Sequence, residues 1–172
     1  MAHVVLLRAA NVGGHNVFRP ARLASALAHL GVVNVGAAGT FVVRGDATPA
    51  AIRREILARL PFEPSIAVRP AGEVLALVRS EPFRGVAFSK DLRGWVAALG
   101  GRPRSRPAMP LLVPPGRQWR VRVDRVEGAF ALGLYHRRPG GFTYPGLVVE
   151  DALGVPATTR WWETFERVAD LL

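Results

Sequence analysis

The sequence predicts an α+β protein. Two observations carry this. Residues 3–79 alternate short β-branched runs with leucine- or isoleucine-striped segments of helical period, and the later stretch QWRVRVDRV alternates strictly before a glycine turn. The chain has 172 residues, enough to bury a core without disulfides or metal staples.

Each element of the first half has its own justification. HVVLLR, residues 3–8, is a continuous apolar run and reads as a buried strand. Pro20 suits the first turn of a helix, Leu23, Leu27 and Leu30 recur at helical spacing, and Gly31 can end it. Short strands follow near residues 32–35 and 40–44. Thr48 then caps a helix with Pro49 in its first turn, and Ile52, Ile56 and Leu60 form its buried stripe. SIAVR, residues 65–69, is a strand. Ala71 to Arg79 is a helix with Val74, Leu77 and Val78 inward.

A second half begins near residue 82. GVAFS reads as a strand and residues 91–99 as a short helix. GGRPRSRPAMP is a loop by composition. QWRVRVDRV and AFALGLY then form a hairpin around Glu127-Gly128. That turn sets Val123 against Leu132 and Val121 against Leu134. On the other face it sets Arg120 against Tyr135 and Arg122 against Gly133. Thr158 or Thr159 caps a last helix striped by Trp161, Phe165, Val168 and Leu172. The expectation is two small ferredoxin-like α/β subdomains, residues 1–81 and 82–172, with mainly antiparallel sheets and helices on one face.

The formal net charge is +10, from 23 basic and 13 acidic residues, and Lys90 is the sole lysine. Such a surface favours anionic partners, although a G- and C-rich coding sequence would enrich arginine too. There is no cysteine, which excludes disulfides, thiol nucleophiles and thiolate metal sites. No apolar run approaches the ~20 residues that span a bilayer, and the N-terminus lacks a signal-peptide layout. A cytoplasmic protein without membrane contact is expected. The sequence leaves the oligomeric state open.

Three constellations could hold a ligand. The first is the loop that follows the opening strand, where Arg8, Asn11, Gly13, Gly14, His15 and Asn16 could converge on an anion. It matches neither phosphate-loop signature, and it reads equally as a turn stabilised by glycine and asparagine. The second is basic: Arg102, Arg104 and Arg106 on a loop, with Arg120 and Arg122 beside Tyr135 on the hairpin. Arginine forks and a stacking ring suit nucleic acid, and a solvated arginine-rich face is the plainer reading. The third is Thr159 with Arg160 at the start of the last helix, an anion site or simple capping. The scattered histidines have no metal-ligand spacing, no serine sits in a nucleophile elbow, and no cofactor motif is present.

LLRAANVGGHN (residues 6–16), VRPAGEVLALVRSEPF (68–83) and TTRWWET (158–164) together resemble a bacterial family known as domain of unknown function 1697. Its members open with L-L-R-G-I-N-V-G-G-[HK]-N and close on a helix beginning T-T-R-N-W-N-T. The family's T-Y-I-Q-S-G-N-V-V-F passage is shortened here to GAAGTFVV, with Gly39 kept and Ala38 and Thr40 at the serine and asparagine positions. Trp161 and Glu163 stand where the last motif has asparagines, and the family's Ser-Lys pair is missing around GGFTYPG. The resemblance implies a two-subdomain α+β fold and no established activity. The functional expectation is a non-catalytic binder of an anionic ligand, either a phosphate-bearing small molecule or nucleic acid. The N-terminal loop would meet that ligand, joined by Thr159 and Arg160 across a cleft. An enzyme using His15 as general base, and a structural or protein-interaction domain, are the alternatives.

Overall fold

In a computed structural model of the chain, which describes residues 1–8, 14 and 16–172, the elements form two antiparallel sheets and five α-helices. By contacts the chain divides into two compact units, Met1–Pro82 with Thr164–Leu172, and Phe83–Glu163.

In the first unit, the apolar run at the start becomes β1 (His3–Leu7), buried on both faces. It lies between β3 (Thr40–Val43) and β4 (Ile66–Pro70), and β2 (Val32–Asn34) adds to the far side of β3. The strand order β2-β3-β1-β4 with all pairs antiparallel, read with the helices after β1 and β3, is compatible with the split βαβ of ferredoxin-like sheets. Helices α1 (Pro20–Ala26) and α2 (Pro49–Leu57) cover one face. Leu23, Leu27, Ile52 and Ile56 pack there against Val5, Leu7, Phe41 and Val43. Both helices start at proline, and the Thr48 hydroxyl accepts from the Ala51 N–H at 3.2 Å, as its position predicts. Gly31 is left-handed and ends the short 3₁₀ turn after α1. Helix α3 (Ala71–Arg79) buries Val74 and Leu77.

Gly39 has a physical reason for being glycine. Its φ is +73°, and a Cβ there would stand 2.9 Å from the Leu7 Cβ. Its carbonyl accepts from the Leu7 N–H at 2.8 Å, so the turn between β2 and β3 sits directly on β1.

The second unit departs further from expectation. Residues 85–89 are irregular, and the expected helix at 91–99 is instead β5 (Leu92–Leu99), the longest strand of the sheet. Leu92, Trp95, Val96 and Leu99 recur at helical spacing, yet Trp95 through Leu99 are buried whichever face they take. The loop at 100–110 precedes a strand not foreseen, β6 (Leu111–Val113). The hairpin is β7 (Val121–Glu127) and β8 (Phe130–His136), and the final order is β6-β7-β8-β5-β9, with all neighbours antiparallel.

The hairpin register also differs. Glu127 pairs with Phe130, so Gly128 and Ala129 make the turn. An irregularity between Val123 and Arg125 then brings Val123 opposite Gly133 and Val121 opposite Tyr135. Arg120 is therefore no partner of Tyr135. The tyrosine shares the inner face with Val121, Val123 and Trp95, where α4 (Pro145–Leu153) packs through Val149 and Leu153. Finally, Thr158 and Thr159 do not cap a helix. They lie in β9 (Ala157–Trp161), at the sheet edge beside β5, and α5 (Trp162–Asp170) begins only afterwards. Trp162, Phe165 and Val168 form its buried stripe.

Candidate functional site

Asn11, Gly13 and His15 lie outside the described residues. Of the rest of that loop, Gly14 has φ +77° and no described neighbour within 4 Å of an added Cβ, and Asn16 has φ +51°; both are exposed. The Arg8 N–H donates to the Ser65 carbonyl at 2.9 Å, which fixes the end of β1 against the start of β4. Thr159 and Arg160 belong to the other unit. The Thr159 hydroxyl is buried without a hydrogen-bond partner among the described residues, against Gly146, where a Cβ would come within 2.7 Å of it. Arg160 donates to the Thr159 carbonyl at 2.8 Å, and burial pushes its guanidinium down to about 10. Both residues lie in β9, so neither stands at the helix N-terminus that the sequence suggested.

The basic hairpin is likewise engaged internally. Arg122 is ion-paired with Asp124 at 2.5 Å. Arg120 donates to the carbonyls of Gly141 at 2.5 Å and Pro139 at 2.6 Å. Tyr135 is 5% exposed. Arg102, Arg104 and Arg106 are exposed on their loop, with the Arg104 stem against Gly154.

Other residues of this unit form a cleft of about 830 Å³. Its rim begins in the turn before β5. The Ser89 hydroxyl accepts from the N–H groups of Asp91 and Leu92, both at 3.1 Å, and the turn carries Lys90 and Asp91 at its tip. The Arg137 N–H donates to the Asp91 carbonyl at 2.7 Å, tying the end of β8 to that turn. The segment at 139–142 makes the opposite wall. Gly140 and Gly141 hold φ of +90° and +116°, and Arg120 clamps the carbonyls on either side of the bend. This sets Phe142 at the cleft, 4.8 Å from the Tyr135 ring and 6.4 Å from Trp161.

Three flat groups thus line the cleft: Tyr135 from β8, Trp161 from β9 and Phe142 from the loop. Arg93, on β5, lays its guanidinium 4.1 Å from the Trp161 ring centre and reaches Glu163 at 3.3 Å. Arg138 is held by the carbonyls of Trp119 and Arg117. The side chains of Lys90, Asp91 and Arg137 have no hydrogen-bond or ion-pair partner among the described residues. The cleft therefore offers two uncommitted cations, one uncommitted carboxylate and an aromatic wall. Sequence reasoning placed Tyr135 on the basic face of the hairpin. It missed Lys90, Asp91, Arg93, Phe142 and Trp161 as companions, because only the order β8-β5-β9 gathers them.

Among the described residues, no group of three histidines or carboxylates could hold a metal ion, and no helix is long and apolar enough to cross a membrane. The chain matches no curated protein and no solved structure. A family model described as "Protein of unknown function (DUF1697)" matches residues 1–107, which takes in the N-terminal loop motif and β5 but not the TTRWWET segment. With more than half of its length inside that match, the chain belongs to the DUF1697 family, whose function is unknown.

Proposed function

We propose that the protein is a non-catalytic binder of a phosphate-bearing small molecule, and that the cleft bounded by Lys90, Arg137 and Phe142 receives it. The carrying observation is the pair of cationic side chains without internal partners on an aromatic-walled cleft. Arg138, which also lines the cleft, is committed to carbonyls, as is Arg120, and Arg122 is paired with Asp124. A volume of about 830 Å³ falls within the range usual for small-molecule sites. Extended nucleic acid is the weaker reading, since of its expected track Arg120 and Arg122 are engaged and Tyr135 is buried, which leaves only the loop arginines Arg102, Arg104 and Arg106 exposed.

Calorimetric titration with inorganic phosphate, pyrophosphate and ribose 5-phosphate at low and physiological salt tests the proposal. At least one should bind with a salt-dependent affinity that Arg137→Ala lowers by roughly tenfold, the loss of one charge-assisted contact. Absence of binding by all three at both salt concentrations, or an Arg137→Ala variant that binds as wild type, overturns it.

A further inference from the structure

We infer that the ligand class of this cleft is the nucleoside phosphates, with the phosphate at Arg137 and Lys90, the ring against the aromatic wall and a sugar hydroxyl at Asp91. The inference rests on the reading of the cleft as an anion site and adds what the other groups select.

A site for a bare anion gains from cations and from backbone N–H groups. This cleft also carries the Asp91 carboxylate on the same turn as Lys90, and its side chain has no partner among the described residues. A carboxylate there repels phosphate. Its contribution turns favourable only when the ligand also brings hydrogen-bond donors, as vicinal ribose hydroxyls do.

The third component is flat. Phe142 is 46% exposed although it sits among aromatic neighbours. A phenyl ring in contact with solvent on a loop fixed by two arginine bonds gains free energy when something covers it. Arg93 presents a second plane: its guanidinium, stacked on Trp161, is about a third exposed. Aromatic and guanidinium planes are the two surfaces on which nucleobases stack. Cations, a carboxylate and stacking planes together match the phosphate, sugar and base of one molecule. A sugar phosphate would leave the aromatic wall uncovered, and a free nucleoside would leave Lys90 and Arg137 without a counter-charge.

The test is titration of the full chain, followed by tryptophan fluorescence, with adenosine 5′-monophosphate, guanosine 5′-monophosphate, adenosine, ribose 5-phosphate and inorganic phosphate. At least one nucleotide should bind about tenfold or more tightly than ribose 5-phosphate, the range for stacking one base on an aromatic ring. Phe142→Leu keeps an apolar side chain and removes the ring. It should remove most of that advantage while leaving ribose 5-phosphate binding as in wild type. Asp91→Asn should weaken the nucleotide and strengthen inorganic phosphate. The denaturation midpoint of each variant verifies that it folds.

Equal affinity for ribose 5-phosphate and both nucleotides overturns the inference and leaves the anion site intact. So does a Phe142→Leu variant that loses both ligand types equally. Binding by none of the phosphate compounds overturns both readings. An oligonucleotide that binds far more tightly than either mononucleotide also overturns the inference, in favour of a polymer.

Discussion

Gly133 lies at the centre of β8, where β5 and β7 both pair with it, and its replacement by alanine should be among the most damaging single changes in the second unit. A Cβ added there would stand 1.8 Å from the Arg122 carbonyl oxygen and 2.9 Å from Cζ2 of Trp95. Ordinary carbon–oxygen contact is above 3.0 Å, so the backbone of β7 would have to retreat by more than 1 Å. Neighbouring strands are held at about 4.8 Å by their hydrogen bonds, and the ladder cannot absorb that displacement without breaking. Trp95 offers no relief, because it is fully buried between Gly133 and Trp161. Overpacking in cores typically costs about 1–3 kcal/mol, and a clash with backbone belongs at or beyond the upper end. Urea denaturation monitored by tryptophan fluorescence and circular dichroism should show Gly133→Ala destabilised by about 3 kcal/mol or more, or failing to fold. Gly72, in the first turn of α3 with nothing within 4 Å of its added Cβ, is the control. Gly72→Ala should be neutral or stabilising by up to about 1 kcal/mol. A Gly133→Ala protein within about 0.5 kcal/mol of wild type, below the overpacking range, would refute the close approach of β7 to β8.

Other expectations concern single contacts. Thr48→Ala removes the hydroxyl that caps α2 and should lower stability by about 1 kcal/mol in the same denaturation assay, while Thr48→Ser should retain most of it. Arg120→Ala frees the carbonyls of Pro139 and Gly141. Both bonds are exposed, so the global loss should be about 1 kcal/mol, but backbone NMR order parameters at 140–142 should fall. Burial lowers Arg160 to about 10, well below the ordinary arginine value. Between those values the unfolded chain holds a proton that the folded chain has released, so this group's contribution to stability rises with pH; its penalty is full below pH 10. The stability of wild type relative to Arg160→Met should therefore rise as the pH goes above about 10, by at most about 3 kcal/mol over the whole titration. A difference independent of pH would contradict the buried setting.

The first unit was legible because its signals are local. Pro20, Thr48-Pro49 and Gly31 mark helix ends by their own backbone chemistry, and Ile52 and Ile56 report a single buried face. The second unit hides its signals. In β5 both faces are covered, so alternation vanishes and Leu92, Trp95, Val96 and Leu99 imitate a helix. In β9, Thr158 and Thr159 have the side chains of a cap and the strand preference of β-branched residues, and pairing with Ala97 and Ala98 decides between them. The hairpin register was misjudged because the turn falls one residue later than Glu127-Gly128 and an irregularity follows at Val123. The cleft was illegible for a related reason. Lys90, the Arg137–Phe142 segment and Trp161 are distant in sequence, and only the placement of β5 between β8 and β9 brings them together.

The first unit is closed by residues that come long after it. Phe165 and Val168 of α5 are buried, the Arg44 guanidinium donates to the Leu171 carbonyl at 2.8 Å, and Thr164–Leu172 group with Met1–Pro82. A chain emerging from the ribosome in order has already delivered β1 to β4 when it begins the whole of Phe83–Glu163. Domains made first ordinarily fold first. Here the earlier half is incomplete until the later half has been synthesised. Translation speed and chaperone access during that interval therefore bear on the yield of folded protein.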